Sequence, residues 1–430
     1  MDAPREGRVT RWLRGAEPEV FAAVAIAAAF SAYFCMYAFR KPFTAVPWSG
    51  AVDLGRLGAL DLKSAYLIAQ VLGYCASKFL GIKVISEMSG RRRGQAILAL
   101  IAVAELALVG FALTPPPYAG LWLIVNGLPL GMVWGLVFGF LEGRRLSEVL
   151  GAGLSASYIV ASGFVKTVGR WVLGAGVPEV WMPALVGLAF TPLLVAAVWT
   201  LRQLPPPTAE DEALRTRRAP MDGHERRAFF SRYAPGLVAL TGLYVLLTAF
   251  RDFRDNFAPE IWDALGYHET PSVMTTVEIP IAFGVLVSLA LIMRIRDNRE
   301  ALLYVHRIMA AGALLIVVAT ALWQLGVLPP LVWMMAVGLG LYMGYVPFGC
   351  VLFDRLIAAV GLVGTAGFMI YVTDAFGYLG SVGLLLYKNF AHRELPWLDF
   401  FVGAAYATGG IGALCFLASR MYFARRTRPG

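Results

Sequence analysis

Twelve long apolar stretches dominate the pattern of hydrophobic and polar positions along this chain. Each holds about 20 residues, the length at which a helix crosses the hydrocarbon core of a bilayer. Their approximate bounds are 19–42, 62–86, 94–113, 119–142, 149–171, 180–202, 234–257, 271–294, 302–325, 329–353, 362–387 and 397–419. Lipid offers the backbone no hydrogen-bond partners, and a barrel would need short alternating strands. The pattern therefore predicts an all-α membrane protein with twelve transmembrane helices.

One long polar stretch interrupts this pattern, between the sixth and seventh apolar segments. It runs from Gln203 to Arg232 and contains three consecutive prolines, an acidic cluster and a basic cluster. This composition is typical of a linker. We therefore expect an N-terminal six-helix half in residues 1–203, a cytoplasmic linker in residues 204–233 and a C-terminal six-helix half in residues 234–430.

The two halves repeat each other in sequence. Residues 38–40, Ala-Phe-Arg, recur 211 positions later at residues 249–251, and each copy ends an apolar run. Residues 127–132 (GLPLGM) match residues 338–343 (GLGLYM) at the same offset. Repeated six-helix units are the plan of one transporter architecture, in which the binding site lies between the halves near the membrane midplane. The repeat predicts two pseudo-symmetric halves.

Composition and charge support a membrane protein and predict its orientation. Hydrophobic residues make up 58% of the chain and the mean hydropathy is +0.66, while the net charge is +9. The cations concentrate in alternate loops and at both ends, so both termini should face the cytoplasm, and we expect the plasma (inner) membrane. The charge reports topology and does not indicate a nucleic-acid partner. The first apolar run is too long for a signal peptide.

Several chemical functions have no support in the sequence. The four cysteines lie in apolar runs without CxxC spacing, and neither a P-loop nor an HExxH motif is present. We therefore expect no metal site, no cofactor and no enzymatic activity, because a membrane enzyme would need a nucleophile or metal cluster at one membrane face. The expected partners are the lipid bilayer and a small anionic substrate, bound by a monomer.

A short loop motif points to a known superfamily. Residues 87–93, EMSGRRR, resemble the loop signature of the major facilitator superfamily, and the matching loop of the second half carries Asp297 and Arg299. An acid there can cap a helix end and pair with an arginine of a neighbouring helix. We expect a cytoplasmic latch formed by Glu87, Arg91, Arg92, Asp297 and Arg299. The alternative is ordinary cytoplasmic charge.

Three cations interrupt the apolar segments. Lys78 lies about fourteen residues, roughly 21 Å, from the outer end of the second segment. Only residues 236–250 precede Arg251 in the seventh segment, which is too short to span, so that helix must continue through Arg251 to about Asn256. Arg40 lies deep only if the first helix is tilted. Guanidinium and ammonium groups so placed predict an anion site. The alternatives are snorkelling of the arginines and an internal ion pair for Lys78.

These cations lie in motifs that resemble one branch of the superfamily. Residues 37–43, YAFRKPF, look like the first-helix motif of the organophosphate:phosphate antiporters, and residues 77–79 resemble their second-helix lysine motif. Arg251 falls near their seventh-helix arginine. The resemblance implies that Arg40, Lys78 and Arg251 bind an anionic group. The fifth-helix histidine of that family falls at Tyr158, which can hydrogen-bond phosphate but does not change charge near neutral pH.

Intramembrane acids suit a different task. Asp252, Glu278 and Asp374 would accept protons in an apolar setting unless a cation keeps them ionised. They are candidates for proton coupling, and the alternative is structural pairing with nearby cations. Tyr37 shares a helical face with Tyr33, so both tyrosines are expected in the cavity, unless these aromatics serve only helix packing.

The combined prediction is a secondary transporter that moves a small organic anion by alternating access. Phosphorylated compounds are among the candidates, and binding uses Arg40, Lys78 and Arg251 with Tyr37 and Tyr158 as neutral partners. Coupling would be by exchange or by protons. Two alternatives stay open: a sensor that keeps the transporter fold without moving substrate, and a proton-coupled porter of a neutral or cationic solute.

Overall fold

The protein is a bundle of long helices. The computed structural model describes residues 7–88, 90–142, 144, 146–208, 223–360 and 366–427. Ten helices in this part of the chain are long and apolar enough to cross a membrane. Two more, Leu62–Glu87 and Ala366–Ala391, are 26 residues long but carry intramembrane charges such as Lys78 and Asp374. The described helices therefore confirm the predicted all-α fold with twelve spans.

The helices of the first half begin with a short segment before the first span. They are α1 Arg8–Arg14, α2 Pro18–Met36, α3 Leu62–Glu87, α4 Gly90–Leu113, α5 Gly120–Phe138, α6 Ser147–Gly174 and α7 Met182–Gln203. Those of the second half are α8 Gly223–Asn256, α9 Ala258–Ala264, α10 Val273–Thr276, α11 Glu278–Met293, α12 Asn298–Gln324, α13 Pro330–Cys350, α14 Leu352–Ala359, α15 Ala366–Ala391 and α16 Trp397–Arg426.

Two hydrogen bonds join helix ends on one face of the bundle. Thr10 Oγ1 donates to Gln203 Oε1 across 3.2 Å, and Arg299 Nη2 donates to the Ala424 carbonyl across 3.4 Å. We call this face, which carries the described ends of the chain, the terminal side. The opposite face, where α2 leads into α3 and α8 leads into α9, is the distal side.

The first span ends differently from the prediction. Helix α2 stops at Met36, and two 3-10 turns follow at Tyr37–Phe39 and Pro42–Ala45. Proline lacks the N–H that a helix interior needs, so Pro42 begins a new turn. A distal hairpin then forms, in which strand β1 (Ala51–Asp53) pairs antiparallel with strand β2 (Ala59–Asp61). The break leaves Arg40 between two buried turns. The apolar pattern predicted neither the break nor the hairpin.

Close packing of α3 against α5 prepares the site. A Cβ at Gly127 would lie 2.2 Å from the Gln70 carbonyl oxygen, and a Cβ at Gly73 would lie 2.1 Å from the Ile124 carbonyl oxygen. Glycine is the residue that permits such backbone contact, as is common where membrane helices cross. The approach brings the polar side chains of α3 and α5 together beneath Arg40.

Helix α8 carries four charged residues close to its distal end. It begins at Gly223, inside the segment predicted as linker, and ends at Asn256, as the length argument predicted. The long helix keeps Arg251, Asp252, Arg254 and Asp255 on one rigid element that faces the first half. Their pairing decides the electrostatics of the site.

A cation-rich cavity between the two halves

A tyrosine-lined cavity lies between the two halves. The space in it that admits the centre of a water-sized sphere is about 40 Å³, so the cavity is nearly closed. Both halves contribute aromatic rings to the lining, the first half adds one cation, and the second half adds one cation and one acid. The lining residues include Tyr33, Tyr37, Tyr74, Tyr158, Tyr244, Tyr345, Tyr378, Trp134, Lys78, Arg251 and Asp374. The structure thus brings four of the predicted substrate-binding residues, Tyr37, Lys78, Tyr158 and Arg251, to one space.

Arg40 lies directly behind three tyrosines of this lining. Its Cζ lies 4.0 Å from the ring centroid of Tyr74, 5.9 Å from that of Tyr37 and 5.8 Å from that of Tyr378. The side chain is only 3% exposed, so it does not snorkel to the surface. Its Nε has no hydrogen-bond partner, and no described carboxylate forms an ion pair with it. Arg40 is therefore a buried cation that contacts tyrosine rings and forms no ion pair with a described carboxylate.

Two buried amide side chains hold the backbone break that presents Arg40. Gln70 Nε2 donates to the Arg40 carbonyl across 3.0 Å and to Asn126 Oδ1 across 2.8 Å. Asn126 Nδ2 donates to the carbonyls of Phe39 and Ala104, each across 3.0 Å. The break frees carbonyls that lipid cannot satisfy, and these amides replace the lost helical bonds. Gln70 and Asn126 therefore position Arg40 without touching the cavity.

Substituting Asn126 should weaken anion binding from a distance. We expect Asn126→Leu to cost about 2–3 kcal/mol of stability, because two buried carbonyls lose their donor. Arg40 would also lose its fixed position, so ligand affinity should fall. Thr320→Val is the control, since that buried hydroxyl bonds Ile316 and Trp333 in the other half. It should lower the melting temperature with unchanged anion affinity. Equal affinity losses in both variants would contradict a positioning role for Asn126.

Arg251 approaches the cavity from the second half and shares one tyrosine, Tyr378, with Arg40. Its Cζ lies 4.3 Å from the ring centroid of Tyr345 and 5.8 Å from that of Tyr378. Its Nη2 donates to Asp252 Oδ1 across 2.7 Å, and Ser381 Oγ donates to Asp252 Oδ2 across 2.8 Å. Asp252 thus neutralises Arg251, whereas the ring of Tyr378 contacts both guanidinium groups.

Lys78 is neutralised across the interface between the halves. Its Nζ lies 3.0 Å from Asp374 Oδ2. Tyr244 donates to the other oxygen of Asp374, and the hydroxyls of Tyr244 and Tyr345 are 2.9 Å apart. Asp374 is therefore held by a cation and a hydroxyl. This is the internal ion pair that the sequence analysis left open for Lys78.

A second charged cluster lies on the distal side of the cavity, and sequence analysis missed it. Asp255 Oδ1 accepts from Lys166 Nζ across 2.7 Å, and Asp255 Oδ2 forms an ion pair with Lys41. Lys41 Nζ also donates to Asn256 Oδ1 across 2.7 Å. The two lysines belong to the first half and Asp255 to the second. The cluster therefore joins the halves, with two cations around one carboxylate.

Glu278 lies in a small pocket apart from the cavity lining. Arg254 Nη1 donates to Glu278 Oε1 across 2.7 Å, and Glu278 Oε2 has no hydrogen-bond partner. Lys166 and Asp255 line the same pocket. Of the three acids predicted to couple protons, Asp374 is the one that lines the central cavity in the described part of the chain.

The residues predicted for the latch have separate environments. Asp297 caps α12 by accepting from the Glu300 backbone N–H across 2.7 Å, and Arg92 is exposed. The side chains of Glu87 and Arg91 lie outside the described part of the chain. Among the described residues of the terminal side, Arg355 joins the two halves: its guanidinium donates to Glu148 Oε2 across 3.1 Å. The latch remains a prediction.

Sequence analysis missed several buried polar residues that the sequence itself could have indicated. Gln70, Asn126 and Ser381 are polar residues inside apolar segments, and all three are buried with hydrogen-bond partners. Polar groups at such depth are costly unless they have partners or a function. Searching the apolar segments for amides and hydroxyls as well as for charges would have identified them.

Among comparisons with known proteins, those with solved structures agree with the fold described above. One family model, described as "Family of unknown function (DUF5690)", matches residues 42–426. A search of curated proteins gave no significant match. A solved structure of a D-xylose-proton symporter is similar, with 14% identity, a TM-score of 0.58 and coverage of 93% of this chain and 96% of that one. Another, the major facilitator superfamily proton:xylose symporter XylE bound to 6-bromo-6-deoxy-D-glucose, has 13% identity, a TM-score of 0.54 and coverages of 93% and 95%.

Proposed function

Since this chain belongs to that family of unknown function and has the fold of the major facilitator superfamily, we propose that it is a secondary transporter of a small organic anion. The substrate would bind between residues 1–203 and residues 234–430, joined by the linker 204–233, and the halves would rock about it. No reaction on the substrate is part of this proposal: the protein is a porter and not an enzyme.

The buried, unpaired guanidinium of Arg40 carries this proposal. A buried charge without a counter-charge is costly, and a bound anion would remove that cost. Small movements of Tyr37, Tyr74 and Tyr378 would open Arg40 to the cavity. Arg251, which contacts the same Tyr378 ring, would then face the anion from the other half. An anion shared by both halves would favour the state in which they are close.

The remaining residues have supporting roles in the proposal. Lys78 adds a third positive charge, while the hydroxyls of Tyr37 and Tyr158 orient the substrate. Proton coupling, if the porter uses protons rather than exchange, would use Asp374 first, because it bridges the halves through Lys78. Asp252 and Glu278 are the other candidate carriers, each held by an arginine of α8.

The surroundings of the site complete the proposal. By the positive-inside rule, the cations of the terminal-side loops favour an orientation with both termini in the cytoplasm. We propose the plasma (inner) membrane as its location. Glu87, Arg91, Arg92, Asp297 and Arg299 would act at the terminal side when the halves rock apart. A monomer suffices for this mechanism, because the cavity and the residues proposed for the latch belong to one chain.

A proton-coupled porter of a neutral solute is the second candidate. The tyrosine hydroxyls in the lining favour it, as does the similarity in fold to xylose symporters. In that case Arg40 would balance internal charge and bind no substrate. A third candidate, a sensor with this fold, would bind the same anion as the transporter without moving it.

Reconstitution separates these functions. Proteoliposomes that contain the purified chain and are preloaded with an unlabelled organic anion should take up the labelled form of the same compound. Protein-free vesicles preloaded in the same way should not. Uptake of neutral sugars alone would contradict the anion proposal. Anion binding in detergent without any flux in vesicles would identify a sensor.

A further inference from the structure

The positive charge around the cavity is one unit greater than the negative charge. Three cations lie at the cavity: Arg40, Lys78 and Arg251. Two of them are already balanced, Lys78 by Asp374 at 3.0 Å and Arg251 by Asp252 at 2.7 Å. Arg40 alone has no described carboxylate partner. One elementary charge is therefore available to a ligand.

The neighbouring charges do not change this count at the cavity. The charged groups of the Lys41–Asp255–Lys166 cluster contact one another, as do those of the Arg254–Glu278 pair. None of these residues is part of the lining. The distal cluster does hold a second surplus cation, but its lysines already contact Asp255 and Asn256. Residues 361–365, outside the described part of the chain, contain no charged side chain in the sequence.

Each acid that balances one of these cations is also held by a hydroxyl at its second oxygen. Ser381 binds the second oxygen of Asp252, and Tyr244 binds the second oxygen of Asp374. A ligand with two negative charges would have to displace one of these carboxylates from its cation. The displaced carboxylate would then be buried without a partner, which costs more than an additional contact returns.

The walls of the cavity specify the body of the ligand. Seven tyrosines and Trp134 form most of the lining, while Ser155, Gly349 and Ile370 are its small or aliphatic members. Aromatic rings pack on other rings in stacked or edge-to-face arrangements that add to simple burial. The hydroxyls allow a few polar substituents on that ring.

From this charge count and these walls we infer that the substrate is a singly charged carboxylate carried on a flat ring, and not a dianionic phosphate ester. The inference rests on the proposed anion transport and names its substrate class. A carboxylate offers a guanidinium the two coplanar oxygens that its N–H groups match. One such group would balance the surplus charge of Arg40.

A set of small probes with related bodies tests the inference. Benzoate, phenyl phosphate, acetate and benzamide would be titrated against the purified full-length protein at pH 8, where the phosphate carries two charges because its second pKa is about 6. Benzoate should bind at least about tenfold more tightly than phenyl phosphate and acetate. Benzamide should not compete. Phenyl phosphate binding as tightly as benzoate would overturn the charge assignment, and acetate doing so would overturn the ring assignment.

Charge variants test the reason for the preference. Asp374→Asn and Asp252→Asn each release one more cation, so each should bring phenyl phosphate within about threefold of benzoate or make it the tighter ligand. Asp263→Asn removes a carboxylate from an exposed pair with Arg170 and should keep the wild-type ratio. An unchanged ratio in both cavity variants would refute the charge count. Failure of every anion to bind the wild type would instead refute the proposed function, and this inference with it.

Discussion

Asp255→Asn is expected to destabilise the protein by about 3 kcal/mol or more, the largest stability effect we predict for a single uncharging substitution. Asp255 is the one carboxylate between Lys41 and Lys166, and its side chain is only 16% exposed. Removing its charge leaves two buried ammonium groups facing each other with no anion between them. The link between the halves on the distal side would be lost at the same time.

The matched variant removes one of the lysines instead. Lys166→Met leaves Lys41 and Asp255 as a neutral pair, so it should cost far less than Asp255→Asn although both delete the same contact. Asp263→Asn, at an exposed ion pair, should cost less than about 1 kcal/mol. Thermal unfolding of the three purified variants in detergent measures these differences as shifts in melting temperature.

The order of the three melting temperatures is the decisive result. If Lys166→Met is destabilised as much as Asp255→Asn, the cluster acts through packing and hydrogen bonds, and its surplus charge is unimportant. A small effect of Asp255→Asn would mean that the distal cluster does not hold the halves together.

Arg40→Met is expected to abolish anion binding without reducing the stability of the ligand-free protein. The guanidinium is buried without a carboxylate, so removing it takes away a cost as well as its contacts with Tyr74 and the neighbouring rings. Loss of two charge-assisted hydrogen bonds to a bound anion should weaken affinity about a hundredfold or more. The ligand-free melting temperature should stay the same or rise.

Two comparisons make this prediction specific to Arg40. Arg40→Lys keeps the charge but not the planar fork, so it should retain weak binding and lose most of the affinity. Arg170→Ala, at the exposed distal pair, should bind and transport as the wild type does. A strong fall in ligand-free stability with anion binding preserved would assign Arg40 a structural role and return attention to Arg251 and Lys78.

Local sequence predicted much of the site because the relevant signals are local. A charged residue in an apolar run is visible without knowledge of its neighbours, and Arg40, Lys78 and Arg251 were found in this way. The 211-residue repeat placed Arg40 and Arg251 at equivalent positions of the two halves. In the structure both guanidinium groups contact the ring of Tyr378.

The end of the first helix could not be predicted from the local sequence. Apolar residues continue through residue 42, so the pattern extended the helix to that point, while the structure ends it at Met36. A break there is stable because Gln70 and Asn126, from two other helices, satisfy the freed carbonyls. Nothing within the first segment reports that those donors are present.

By itself, the sequence determined the all-α membrane fold, and it identified three cations, Arg40, Lys78 and Arg251, within the apolar segments. The two related halves are its prediction. These properties depend on hydropathy, length and local motifs, which act along a single segment. Only the tertiary structure decided which cation meets which acid. It gave Asp255 two lysines, Lys78 and Arg251 one acid each, and Arg40 none of the described carboxylates. Pairing depends on how helices from the two halves pack, and groups far apart in sequence then lie within 3 Å of one another.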